Sequence, residues 1–251
     1  MPVTAAIPFY SDWTFWSMAV ASAAFFLSAA PYVARWLRPG RLEMDLYDTL
    51  AISHKIGYPT VQLHIRLQNI GAREVKVSRI AVTLKRDGQV LQTMSARNTV
   101  QPTGPALLFA PFKLQGREEW VQIANFFMPF TREDDRVYRT AEHALRTNIH
   151  AKIHALNEPH RRAVEADADL VVPFTAMFDA HFNWLPGQYD VDISTETEPA
   201  AAALKQSYRF ILFESDTQAL RDLAQDYKLG AGVYFNNTNR QEWVNPQLLK
   251  V

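Results

Sequence analysis

The chain has 251 residues, and Lys plus Arg and Asp plus Glu both number 26, so it is formally neutral. The basic excess of a nucleic-acid binder is missing, and no nucleic-acid partner is expected. There is no cysteine, which removes disulfides, thiolate zinc sites, iron-sulfur clusters and cysteine nucleophiles together.

Residues 1–12 form a short N-terminal tail without Lys or Arg, and the stretch 13–36 reads as a transmembrane anchor. Thr14 to Ala34 carries no charge, and about 20 apolar residues at roughly 1.5 Å rise cross a hydrocarbon core of about 30 Å. Trp13 and Trp16 stand at one end and Tyr32 and Trp36 at the other, matching the interfacial belts where amphipathic rings are favoured. Arg35, Arg38 and Arg41 follow directly. Positive charge favours the cytoplasmic side, so a single-pass cell-membrane protein is expected, N-terminus out and the bulk of the chain cytoplasmic. A cleaved signal ending near Ser28-Ala29-Ala30 is the rival reading. It lacks a basic n-region, has too long an apolar core and would place Pro31 just after the cut. A buried helix of a soluble domain is disfavoured by the aromatic ends and the arginine step. Ser17, Ala21, Ala24 and Ser28 lie on one helical stripe, a pattern that permits close helix approach and homo-oligomerisation within the bilayer.

From Leu42 the pattern alternates. Val61, Leu63, Ile65 and Leu67 share one face of Thr60 to Asn69, with Gln62, His64, Arg66 and Gln68 on the other. Period two marks a half-buried strand. Apolar positions continue from Val75 to Leu84 with a phase slip near Ser78, Asp87-Gly88 supplies a tight turn, and Val90 to Met94 pairs back as a hairpin. Ala106 to Leu114, interrupted by Pro111, and Glu119 to Phe127 give further strands.

At Thr131 the period changes. Thr131 with Asp134 has the form of a capping box, and Val137, Tyr138, Ala141, Ala144, Leu145, Ile149 and Ile153 recur at three and four up to about Leu156, where Asn157 and Pro159 stop the helix. A second helix is expected over about Arg161 to Phe182, so 131–182 reads as a helical hairpin inserted in a β domain spanning 42–214. Strands follow at Tyr189 to Ile193 and Tyr208 to Glu214. A short helix capped by Ser215 or Asp216, and a tail with little periodicity, complete residues 215–251. Asn236-Asn237-Thr238 fits the glycan acceptor pattern, of consequence only in a secretory lumen.

The Pro186-Gly187 turn feeding a strand that opens with Tyr189, together with Asn69-Ile70-Gly71 after a long alternating strand, resembles the immunoglobulin-like architecture. That resemblance implies an antiparallel β-sandwich, and the expected fold class is therefore mainly β, with a transmembrane helix before the sandwich and a helical insertion within it.

His143, His150 and His154 are separated by seven and four residues, near one face of the first inserted helix, with His160 just beyond. An i, i+4 imidazole pair can chelate zinc or a similar divalent metal if Glu142, Glu165, Asp167 or Asp169 completes the set, and the same residues could gain charge between pH 5.5 and 7.5 as a sensor. His150 and His154 enclose no glutamate base, and no serine-nucleophile elbow, phosphate loop or dinucleotide fingerprint occurs. A solvated helix face is the preferred account of the histidines, so no cofactor is expected. The reading is a membrane-anchored binding or adaptor protein that offers the inserted helices to a protein partner at the lipid bilayer. The alternative is a tethered sensor or metal-dependent enzyme centred on the histidine helix.

Overall fold

The computed structural model describes residues 13–101, 103–156, 164–236 and 242–251, and of 34–37 the backbone alone. The N-terminal tail, the side chains of Arg35 and Trp36, the helix stop at Asn157 and Pro159, His160 and the acceptor pattern beyond Asn236 lie outside the described residues.

Helix α1 runs Trp13–Leu37. Its segment Trp13–Val33, with mean hydropathy 1.4 and none of it buried, is long and apolar enough to cross a membrane. Ser17 and Ser28 donate their hydroxyls to the carbonyls of Thr14 and Phe25, at 2.9 and 2.8 Å. The two polar groups are thereby satisfied within the helix itself, which is what an apolar medium requires.

The strands that follow are β1 (Leu42–Leu46), β2 (Ala51–Lys55), β3 (Tyr58–Asn69), β4 (Val75–Arg86), β5 (Gln89–Val100), β6 (Leu107–Leu108), β7 (Phe112–Leu114) and β8 (Glu119–Phe127). After two helices come β9 (Gly187–Glu198), β10 (Lys205–Leu212) and β11 (Leu249–Lys250). These strands pair antiparallel, in the continuous order β1-β3-β8-β5-β4-β9-β10-β11. Strand β5 makes the sheet curl. Gln89 to Ser95 pair with β4, and from Ala96 onward the strand leaves β4 for β8. The vacated flank of β4 is taken by β7 at Val75 to Val77. The result is a mostly antiparallel sheet curled into a half-barrel, whose concave face buries Val61, Leu63, Ile65 and Leu67 against Val82, Leu84, Val191, Ile193 and Phe210.

Helices α2 (Arg132–His154) and α3 (Ala168–His181) lie between β8 and β9 in the chain. Thr131 caps α2, its hydroxyl oxygen accepting from the Asp134 amide at 3.1 Å. Helix α3 begins later than its apolar spacing predicts. Over 164–167 the backbone is irregular, with Asp167 gripped by Lys152 at 2.7 Å and Asn148 at 2.6 Å, and the Ala166 amide donated to the Lys228 carbonyl. Leu145 and Ile149 of α2 pack with Phe174, Met177 and Phe178 of α3 in a second core, which Ile56, Tyr227 and Val233 complete.

Ile56 reaches that core from the β2–β3 turn, where Ile56 and Gly57 have φ of 49° and 84°. A β-branched residue in the left-handed region is strained, and here the strain is held by full burial of the isoleucine between the helices. Gly57 is required as well, since an added Cβ would stand 2.7 Å from the Phe178 carbonyl oxygen. Beside the turn, His54 accepts from the Gly57 amide through Nδ1 at 3.1 Å and places Nε2 2.8 Å from the Leu220 carbonyl. Its ring also lies against Phe178 and Phe182. One nitrogen accepts and the other donates, so the imidazole is neutral, and burial lowers its pKa from 6.5 to about 4.

The C-terminal stretch, which has no periodicity in the sequence, is tied into the sheet. Helix α4 (Glu214–Asp222) leads through a 3-10 turn to Gly230. Further on, Val244 exchanges backbone hydrogen bonds with Ile52 at 2.8 and 3.0 Å, Leu248 donates to the Asp48 carbonyl, and β11 adds to the β10 edge.

The end of the barrel next to α1 is organised by Asn69, fully buried. Its Oδ1 accepts from the Gly71 and Arg41 amides at 3.0 and 3.3 Å, and its Nδ2 donates to the Arg73 and Leu114 carbonyls at 2.7 and 3.0 Å. Two amides facing one atom and two carbonyls facing the other fix the orientation of the carboxamide. Asn69→Ala is expected to cost on the order of 3 kcal/mol, because buried carbonyls lose their donors. Asn69→Asp should be no better, since it turns a carboxylate on two carbonyls; denaturant melts in detergent measure both, and a near-native aspartate variant would contradict this account.

His54 gives a pH dependence. Its folded pKa is depressed, so its contribution is fully present above pH 6.5 and is lost as pH falls toward 4, where the unfolded chain takes up a proton that the folded one refuses. Unfolding free energy should fall across that window by up to about 3 kcal/mol from this group. His54→Gln should start less stable and show a shallower slope between pH 7 and 4.5; parallel slopes for the two proteins would remove His54 as the cause.

Candidate functional site

The side chains singled out by the sequence fall at opposite ends of the molecule. Trp13, Trp16 and Tyr32 are exposed along α1, at 85%, 55% and 73%. Arg38 is exposed just past the end of the helix. His143, His150 and His154 lie on α2, at the far end of the barrel. Strand β3 leads there from Asn69 to Tyr58, eleven steps of about 3.3 Å, or roughly 36 Å.

All three histidines are exposed on α2. Among the described residues no group of three or more His, Cys, Asp or Glu is close enough to hold a metal ion. Two of the carboxylates that could have completed a zinc site are engaged elsewhere, Glu165 with Lys228 and Asp167 with Lys152 and Asn148. His150 sits instead beside the ring of Tyr234, with centroids 6.5 Å apart.

The histidines do belong to a longer pattern. Arg132, Arg136, Arg139, His143, Arg146, His150 and His154 follow one another at spacings of four, three, four, three, four and four, and every one is exposed. At about 100° per residue they occupy roughly 80° of arc, and at about 1.5 Å rise the stripe is about 33 Å long. It faces outward because Leu145 and Ile149, roughly 100° to 140° around the helix from the middle of the stripe, fill the second core. The same count of threes and fours that marks the histidines, carried toward the N-terminus, finds the four arginines. Composition hides them because the chain as a whole is neutral.

Local pairing consumes little of this charge. Arg136 meets Glu133 at 3.2 Å and Arg139 meets Asp135 at 2.8 Å, both pairs largely solvated, and exposed pairs of this kind contribute only tenths of a kcal/mol. The Arg146 guanidinium lies 5.6 Å from the Tyr234 ring centroid. Arg132 stands in the first helical turn, where the macrodipole disfavours a cation, so it does not help the helix. Glu133, Asp134 and Asp135 occupy the same turn and offset that cost.

Beneath the N-terminus of α2, Asp134 Oδ2 accepts from the hydroxyls of Tyr58 at 2.5 Å and Thr131 at 2.6 Å, with His181 Nε2 at 3.7 Å. The hydroxyls of Thr131 and Tyr58 hold Asp134 below the usual carboxylate range. Burial, and then the carboxylate, push the Tyr58 hydroxyl up to about 12. The tyrosine is thus a neutral donor at ordinary pH. This Tyr-Asp-His cluster fixes the helix start to β3 and presents no activated nucleophile.

Next to it opens an apolar cleft of about 350 Å3 walled by Phe127, Met128, Pro129, Phe130 and Trp243. Lys55 on its rim donates from Nζ to the carbonyls of Gly232 at 2.8 Å and Val233 at 2.5 Å and lies over the Tyr138 ring. Burial lowers the Lys55 pKa. The ammonium holds the turn at Gly232 against the helices.

No protein-family model matches the chain, and no curated protein matches it in sequence.

Proposed function

We propose that the chain is a single-pass, membrane-anchored binding or adaptor protein whose α2 stripe takes the acidic face of a protein partner. The observation that carries this reading is the unbroken run of four arginines and three histidines, all exposed, on a helix fixed in a core through another of its faces. Its length suits an acidic helix lying alongside it, and a complementary charge pattern of that kind sets register and encounter rate. An anchor adds an effective concentration for partners in the same membrane. The arginine step at Arg35, Arg38 and Arg41 supports an N-out, C-in orientation with the stripe in the cytoplasm. The small-residue stripe of α1 supports pairing of two copies within the bilayer.

The immunoglobulin-like reading of the half-barrel belongs to the same proposal. It is supported by β5, which passes from one half of the sheet to the other, and by Tyr189, whose hydroxyl donates to the Leu185 carbonyl at 2.7 Å and accepts from the Leu185 amide at 3.0 Å. A tyrosine near a strand start that bonds back to upstream backbone is a mark of such sandwiches.

Deleting the hairpin would expose Ile56, Tyr227 and Val233, so charge reversal is the cleaner test. The double variant Arg136→Glu, Arg139→Glu, assayed by crosslinking of the full-length chain in its native membrane, should lose partner capture by roughly tenfold or more. Its melting temperature should stay within a few degrees of the parent. Undiminished capture would sink the stripe as the binding face. For orientation, a reporter active only outside the cytoplasm and fused after Val251 should stay silent, while one active only inside should function; the reverse pattern would place the barrel on the other side.

A further inference from the structure

The end of the barrel nearest α1 carries a surface that the binding stripe does not use. Only residues 38–41 separate α1 from β1, and they are held in place. Ile70 donates its amide to the Arg41 carbonyl at 2.8 Å, and Arg41 donates its amide to Asn69 Oδ1. Gly71 lies so close that an added Cβ would stand 2.3 Å from the Pro39 carbonyl oxygen. Pro39 to Arg41 are therefore part of the barrel end itself.

The loops at this end also reach back along the helix. A cleft of about 570 Å3 is bounded on one side by Pro31 and Arg38 and on the other by Ile70, Gly71, Gln115 and Arg117. Pro31 lies inside the apolar segment that ends at Val33, so the loop tips stand level with the last turn of that segment. Ile70 presents an apolar side chain there, 45% exposed. Arg38, Arg41 and Arg117 are exposed, and among the described residues none of the three has an ion-pair partner. The neighbouring acids are committed, Glu74 to Lys113 at 2.8 Å and Glu118 to the Gln115 amide at 2.7 Å.

We infer that this end of the barrel docks on the leaflet in which α1 ends, with Ile70 entering the interface and Arg38 and Arg117 binding the phosphates and carboxylates of anionic phospholipid headgroups. The inference rests on the membrane-anchor reading and adds to it a lipid class and the residues that recognise it. Guanidinium groups at headgroup depth meet oxyanions bidentately, and an anionic leaflet concentrates basic groups within a Debye length of its surface.

The absence of cysteine permits single spin labels without background. Full-length chains carrying Phe25→Cys, Ile70→Cys or Val90→Cys are placed in nanodiscs of phosphatidylcholine alone or mixed with phosphatidylserine, and collision with oxygen and with a water-soluble nickel chelate is compared. The Phe25 label should be in lipid in both discs and the Val90 label in water in both. The Ile70 label should move several-fold toward the lipid ratio when phosphatidylserine is present, and Arg38→Gln with Arg117→Gln should abolish that movement. A Phe25 label in lipid beside an Ile70 label as wet as Val90 overturns the docking while leaving the anchor. An Ile70 label equally deep in both discs overturns the headgroup recognition. A Phe25 label in water overturns the anchor itself.

Discussion

A buried carboxamide is the constraint on which the shape of this molecule depends. Asn69 has two acceptor directions and two donors, and the structure uses all four on backbone groups from three separate segments: the linker at Arg41, the loop from Gly71 to Arg73, and the end of β7 at Leu114. Backbone groups at such a convergence cannot pair with one another in a regular ladder, and left alone they would be desolvated without partners. One side chain resolves that problem, and in doing so fastens the linker, the loop and the strand end to one another.

The far end has its own fastening, of a different kind. There the sheet and the helical hairpin meet through the strained Ile56 turn, the neutral ring of His54 and the ammonium of Lys55, each reaching out of the β2 end into another element. Polar groups are used because a purely apolar contact would fix distance without fixing rotation. The hairpin is held at a set angle, and that is what keeps the cationic side of α2 turned to solvent.

Much of this was legible in the residues. The apolar stretch of α1, the alternation of β3, the Asp87-Gly88 turn and the cap at Thr131 each rest on local chemistry, and each is found where the pattern places it. Strand β2 was not legible, because period two requires one wet face and one dry face, whereas β2 is covered on both. Ser53 donates to the Glu242 carbonyl and Lys55 to Gly232, so polar residues occupy positions that read as exposed. The packing of the C-terminal stretch was hidden for a related reason: it is held by backbone hydrogen bonds to Ile52 and Asp48, which leave no trace in side-chain type. As for the candidate site, spacing alone aligned the histidines. The meaning of that alignment came from the core residues behind them and from the arginines in register.

The pairing of β4 with β9 also sets a timetable. Ile80 lies opposite Thr195, 115 positions later in the chain. At about 5–20 residues per second, the earlier strand waits roughly 6 to 23 seconds on the ribosome for its neighbour. During that wait β4 offers an open hydrogen-bonding edge flanked by Val77, Val82 and Leu84, the kind of edge on which nascent chains aggregate. What is synthesised in the interval includes α2 and α3, whose contacts with each other are short in sequence separation and do not involve β9. The insertion thus fills the dangerous part of synthesis with contacts of short range, while its remaining core partners, Tyr227 and Val233, arrive after β9.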